Sequence, residues 1–377
     1  MKFKRKQSIE TMLWPKRALV LYGPRRVGKT TLVKQYLANL PKNVQSRYDI
    51  GDDLNLQELL SGQRRAKILT YAEQYDVIVI DEAQQIPKIG MAAKMIVDAF
   101  PEKKLILTGS SSFDLAQKIG EPLTGRQFEV KLMPIALNEI DGNNFDKENN
   151  LESLLLYGFY PEILAQNNEI KKQQLLQELV SSYLFKDILA LDRLKSPSLL
   201  LKITKALALQ IGNEVSATKL AKDVGETDHK KIIRYLDLLE KSFIIKRVPA
   251  FAKNPRNEIR KNVKYFFYDI GLRNALIDRF QKLDNRDSRE IGALWENFVC
   301  MELYKKAVTK NSYFNGLYFW RNKKGQEVDL VFELGDEIEA YECKWSTQPA
   351  PFKDFKEAYP QAKTAVISRQ NFTDYIN

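Results

Sequence analysis

The chain has 377 residues, 44% apolar and 28% charged, a composition that suits more than one buried core and excludes disordered and collagen-like classes. Its net charge of +11 and pI near 9.3 favour an anionic partner. Only two cysteines occur, Cys300 and Cys343, which argues against a disulfide framework and zinc chemistry and fits a reducing cytoplasm. The basic start MKFKRKQSIETMLWP lacks the apolar core of a secretory signal, and no apolar run approaches the ~20 residues of a spanning helix, so no membrane role is expected.

The first predicted strand, RALVLYG, runs directly into GPRRVGKT and then the helical TLVKQYLANL, the strand–loop–helix context of a phosphate-binding loop. Gly23, Pro24, Arg25, Arg26, Val27, Gly28, Lys29, Thr30 and Thr31 are the candidate nucleotide contacts. Loop amides and the following helix N-terminus would hold the β- and γ-phosphates, Lys29 would neutralise them, and Thr30 would ligate Mg²⁺. The continuous apolar run YDVIVIDEAQ reads as a buried parallel strand ending in two acids. Asp81 would hold the magnesium through water, and Glu82 would act as general base toward the attacking water. The competing reading is that both acids only cap the next helix.

A third buried strand, KKLILTGSSSF, ends in small hydroxyl residues. With GPRRVGKT and VIDEAQ before it, the chain resembles bacterial and archaeal AAA+-type ATPases. More narrowly, it is similar to prokaryotic ATPases in which these motifs precede a C-terminal domain of unknown function. PIALNEI near Pro134, YGFYPEIL near Gly158 and SYLFKDIL near Asp187 extend the likeness over nearly the whole chain. The resemblance implies ATP as the nucleotide, Ser110 as a polar sensor of the γ-phosphate, and a homo-oligomer in which Arg126 acts as an arginine finger in cis or on a neighbour. Ordinary turn chemistry for Ser110 and surface solvation for Arg126 are the competing readings.

DGNNFDKENN, residues 141–150, is a surface loop, and the helical segments LESLLLYGFYPEILA and KKQQLLQELVSSYLFKDILAL suit a small helical lid over the nucleotide. From Pro197 three shorter helices follow, with Ser216 and Thr227 as N-caps, and FIIKRVPAF and VKYFFYD supply two strands of a wing. This is a winged helix-turn-helix pattern. Between Lys230 and Lys264 eleven cations face three acids, a net of +8, consistent with DNA as a partner. A winged helix can equally dock a protein. His229, the single histidine, carries no assigned chemistry.

The last hundred residues read as helix, three strands, helix, strand. That order, with Asp329, Glu342 and Lys344 interrupting apolar strands, resembles the PD-(D/E)xK nuclease core. Side-chain alternation puts Glu327 on a face with Asp329, and Glu342 on a face with Lys344. Asp329 and Glu342 would bind Mg²⁺ with the Cys343 carbonyl, and Lys344 would orient or deprotonate water. Glu296, on the preceding helix, holds the position where the resemblance implies another acid. A salt-bridged surface hairpin is the competing reading.

The expected fold is α/β in three parts: an AAA+-like P-loop sheet with helical lid over 1–195, a winged helix over 196–270, and a restriction-endonuclease-like domain over 271–377. The expected function is ATP binding and hydrolysis by a DNA-acting protein with Mg²⁺-dependent nuclease capacity. The alternative is an ATP-dependent switch whose nuclease-like tail is catalytically silent.

Overall fold

The computed structural model describes residues 1–62, 64–110, 123–182, 196–252, 263–310, 313–346 and 352–377. They fall into two compact units: Arg5–Met133 with Lys241–Phe243, and Met1–Lys4 with Pro134–Glu240 and Ile244–Asn377.

The first unit is built on a five-stranded sheet of order β2-β3-β4-β1-β5, with strands β1 (Ala18–Tyr22), β2 (Ser46–Ile50), β3 (Val77–Asp81), β4 (Lys104–Gly109) and β5 (Gln127–Lys131). Every neighbouring pair is parallel. The apolar runs VIVID and LILTG are buried along their length, as a parallel sheet covered on both faces requires. Helix α1 (Lys29–Ala38) follows β1, and helix α2 (Ile89–Ala99) packs Ala92, Ala93 and Ile96 into the core formed with Ile78, Ile80, Leu105 and Leu107. Burying each such larger side chain contributes ~1.5–3 kcal/mol. The pairing of Tyr22 with Gly109 and of Ile80 with Leu107 brings the C-terminal ends of β1, β3 and β4 side by side, the edge where open α/β sheets bind ligands.

In the second unit, helices α3 (Leu151–Tyr157) and α4 (Glu169–Ser182) pack against α8 (Ile270–Leu276). Helical periodicity is legible in the sequence of α3 and α4, but the partner is not. What fixes it is buried polar pairing: Asn274 Nδ2 donates to the Leu155 and Leu156 carbonyls at 2.9 Å each, and the Asp269 carboxylate accepts the Phe159 N–H at 2.7 Å. The backbones meet so closely that a Cβ on Gly271 would lie 2.1 Å from the Tyr157 carbonyl oxygen. Tyr183 to Lys195, with the expected SYLFKDIL motif, lie outside the described residues.

Helix α5 (Pro197–Leu209), strand β6 (Glu214–Val215), helices α6 (Ala217–Val224) and α7 (His229–Lys241), and strands β7 (Ile245–Pro249) and β8 (Val263–Phe267) follow in chain order. The strands form an antiparallel sheet of order β6-β8-β7. Ser216 precedes α6 as its N-cap residue without a side-chain bond, while at α7 it is Asp228, not Thr227, whose carboxylate accepts the Lys230 N–H at 2.9 Å.

Helix α9 (Ser288–Lys310) is followed by β9 (Phe314–Arg321), β10 (Glu327–Leu334), β11 (Glu337–Cys343), helix α10 (Lys353–Ala358), β12 (Lys363–Ile367) and helix α11 (Phe372–Ile376). The sheet order is β12-β11-β10-β9, antiparallel except for the parallel β11–β12 pair. The Gly335-Asp336 turn sets Leu334 opposite Glu337. Trp295 of α9 is fully buried, stacks edge-on against Phe372 and Trp345, and donates Nε1–H to the Ile367 carbonyl at 3.1 Å. Two links tie this sheet to the preceding one. Phe251 donates its N–H to the Phe319 carbonyl at 2.6 Å, and the buried Asn297 side chain brackets both the N–H (2.7 Å) and C=O (3.0 Å) of Phe267.

Candidate functional site

The loop after β1 is shaped by two glycines. A Cβ on Gly23 would lie 1.9 Å from the Leu132 carbonyl oxygen, and Gly28 adopts φ 95°, the left-handed conformation that opens α1. Val27 is fully buried and anchors the loop, while Arg25, Arg26 and Thr31 are exposed. Lys29 is 5% exposed, and its Nζ donates to the Gly23 and Pro24 carbonyls at 2.8 Å each. The ammonium is thereby held across the concave side of the loop.

Asp81, at the end of β3, is the hub. Its Oδ2 accepts hydrogen bonds from Thr30 Oγ1 at 2.7 Å and from Tyr48 Oη at 2.6 Å, and its Oδ1 accepts one from Thr108 Oγ1. Burial alone would push this carboxyl up, but the Thr108, Tyr48 and Thr30 hydroxyls together hold it below the ordinary aspartate range. Asp81 is therefore ionised at neutral pH, and its charge faces the Thr30 hydroxyl. Burial and the bond to Asp81 push the Tyr48 phenol up, so it stays a donor.

Glu82 sits in the left-handed region at φ 52° and ψ 42°, a conformation that costs a non-glycine residue ~1–3 kcal/mol. The Thr108 hydroxyl accepts the Glu82 N–H at 3.2 Å while donating to Asp81, so one buried side chain sets both acids. Gln84 Nε2 donates to the Glu82 carboxylate and, at 3.3 Å, to Ser110 Oγ. Ser110 is thus linked to Glu82 through Gln84. Arg126 is placed otherwise: its side chain is 40% exposed and paired with Asp98 of α2.

Tyr48, Thr108 and Gln84 are absent from the sequence reading. β2 carries SRYDI, with no apolar run to mark it as a strand. Thr108 stands two residues before Ser110 on β4, and strand alternation would have given it the same face as Ser110.

A second cluster lies in the other unit. Asp329 of β10 accepts the Cys343 N–H at 2.8 Å, and Glu342 of β11 accepts a bond from Lys344 Nζ at 2.7 Å. Burial pushes both carboxyls up, and Asp329 pushes Glu342 further. Glu296 of α9 is raised to about 8, by burial first, with Lys264 opposing and Asp329 adding to the shift. The Lys264 Nζ lies 2.9 Å from Glu296 Oε1 and 2.5 Å from Glu327 Oε1. Burial alone would lower this lysine, but Glu296, Asp329 and Glu327 outweigh it and hold the ammonium charged.

Lys264 corrects the sequence reading: it is counted there with the basic surface, yet only 3% of its side chain is exposed. It lies on β8, every residue of which is buried, and its side chain ends among the carboxylates. Lys253, Arg256, Arg260 and Lys261 of the same count lie outside the described residues. The expected metal set is correspondingly divided: Glu296 pairs with Lys264, Glu342 with Lys344, and Asp329 accepts the Cys343 N–H. Among the described residues no group of three or more acids, histidines or cysteines is arranged to hold a metal ion.

Comparison with known proteins separates the chain into three stretches. Residues 15–141 match the family model described as an AAA domain, residues 148–283 a domain of unknown function (DUF8612), and residues 291–376 another (DUF4143). The first stretch is an AAA-type ATPase-like domain. Uncharacterized proteins align over most of the chain: one from Mycobacterium tuberculosis is 26% identical over 354 residues, covering 93% of this chain and 75% of its own. One from Haemophilus influenzae is 24% identical over 342 residues, covering 85% and 80%. One from Methanocaldococcus jannaschii is 23% identical over 381 residues, covering 95% and 82%. Among solved structures, AMPPCP-bound DnaA from Aquifex aeolicus aligns with 59% of this chain and 82% of its own at 19% identity, with a TM-score of 0.26, too low to define a fold. No helix among the described residues is long and apolar enough to cross a membrane.

Proposed function

We propose that the chain binds and hydrolyses ATP with Mg²⁺ in its first unit. The observation that carries this is the convergence of Lys29, Thr30 and an ionised Asp81 at adjoining strand ends. A buried carboxylate facing a threonine hydroxyl at the mouth of a glycine-bounded loop is a donor set suited to Mg²⁺. The ion would neutralise charge on the β- and γ-phosphates. Lys29 binds those phosphates, the loop residues from Gly23 to Gly28 other than Pro24 present their amides, and Glu82 accepts a proton from the attacking water while Gln84 and Ser110 position it. Lys29→Ala is expected to abolish hydrolysis, and Glu82→Gln to leave ATP bound but uncleaved. Normal turnover in both variants would reject the assignment.

DNA is the partner we propose for the second unit. The order α5-β6-α6-α7-β7-β8 with its three-stranded sheet supports a winged helix-turn-helix. Its α7 exposes Lys230 and Arg234 beside Arg247 along a groove of about 650 Å³. Phosphate contacts would supply the affinity. An affinity that stays flat as salt rises would indicate a protein partner instead.

For the last hundred residues, helix order and the placing of Asp329, Glu342 and Lys344 support a nuclease-like fold. Because lysines already pair Glu296, Glu327 and Glu342, the reading we favour is a switch with a catalytically silent tail. Metal-dependent nicking by the purified chain that disappears in Asp329→Ala/Lys344→Ala would restore the nuclease reading. Assembly of copies, with Arg126 reaching a neighbour's phosphate, belongs to the same proposal. Arg126→Ala should then lower turnover only at concentrations where copies associate.

A further inference from the structure

Lys264 enters the carboxylate cluster from outside the α9-β9-β10-β11 segment that supplies the acids. Its strand, β8, is hydrogen-bonded on one side to β6, where it faces Glu214, and on the other to β7, where it faces Val248. From there the side chain passes the face of Phe319, with Nζ 5.4 Å from the ring centroid, and ends between Glu296 and Glu327. Lys344 makes a corresponding pair with Glu342.

A divalent ion needs several carboxylate oxygens turned to one point, at ~2.0–2.1 Å for Mg²⁺. Here Glu296 and Glu327 are turned to one ammonium group, Glu342 to another, and Asp329 to the Cys343 N–H. An ammonium held at 2.9 and 2.5 Å by two carboxylates, with an aromatic face beneath it and almost no exposure, is a cation bound in a shaped seat. It also repels a second cation at short range, where little water intervenes to screen the charges.

We propose that Lys264 is the resident cation of this cluster, taking the place a divalent ion would need, and that the C-terminal fold therefore works without metal. The two parts of the seat are separately encoded: the acids come from α9 and β10, and the cation from the wing strand. The inference rests on the nuclease-like reading only for its fold, since metal uptake can be measured whether or not DNA is cut.

The test is Mn²⁺ titration of the full chain without nucleotide, read by electron paramagnetic resonance and by the shift of thermal unfolding. The unchanged chain should take up no Mn²⁺ at the cluster and unfold at the same temperature with and without it. Lys264→Met keeps the apolar stem over Phe319 but removes the charge, and should lower the apparent dissociation constant for one Mn²⁺ at least about tenfold. Adding Asp329→Asn to that variant should abolish the gain. Uptake by the unchanged chain that Asp329→Asn removes would overturn the proposal, and so would a folded Lys264→Met variant that gains no Mn²⁺. Should Lys264→Met not fold, the unchanged chain still decides: Mn²⁺-induced stabilisation lost in Asp329→Asn refutes the inference, and its absence supports it. ATPase activity, read in parallel, stands apart from all these outcomes.

Discussion

At the scale of single residues, Asp81 is governed by three hydroxyls, of which only Thr30 is announced by a motif. Tyr48→Phe removes one of them without changing shape. A hydrogen bond to a charged group contributes ~1.5–3 kcal/mol, so the variant should lose stability of that order in urea unfolding; an unchanged midpoint would mean water replaces the phenol. Because the folded Asp81 carboxyl is depressed, the stability it confers is present above the ordinary aspartate pKa and is lost as pH falls through the lower folded value. Asp81→Asn should flatten this acid limb, which a stability series below pH ~4 would reveal. Motif spacing made Lys29, Thr30, Asp81 and Glu82 legible. Tyr48 was hidden because β2 is a polar edge strand, and Thr108 because its hydroxyl is read as strand filling until β3 and β4 are paired.

At the scale of elements, close backbone approach decides more than propensity. The turn out of β1 leaves no room for a methyl group on Gly23, with Leu132 of the chain beyond β5 directly behind it. Gly23→Ala is expected to reduce nucleotide affinity sharply, whereas Gly28, with nothing within 4 Å of its virtual Cβ, should be limited only by its backbone angle. Calorimetric titration of both variants would separate the two causes. Asn297 plays a comparable part between α9 and β8. Asn297→Leu would orphan a buried N–H and C=O, costing ~1–3 kcal/mol for each, and equilibrium unfolding should show the loss. The strand and helix order of the tail could be read from alternation and turn signals, but nothing in linear spacing foretold that a lysine more than thirty positions before Glu296 would meet it.

For the molecule as a whole, the charge excess is only partly surface. Lys264 is buried, whereas Lys230, Arg234 and Arg247 of the described wing region are exposed. If this face meets a nucleic acid, each phosphate contact removed should reduce the slope of log affinity against log salt by ~0.9. A triple alanine variant at those positions should therefore flatten the slope by up to about three contacts' worth, and an unchanged slope would move the interface elsewhere.

The bracket that Asn297 places around Phe267, and the chain pairing of Phe251 with Phe319, also bear on how such proteins can be recombined. A fragment cut near residue 270 would separate donors from acceptors on both sides of the cut. Exchange of tails between relatives should then succeed only when β7 and β8 travel with the acids they accompany, because these stretches form one hydrogen-bonded piece even where sequence patterns draw a border between them.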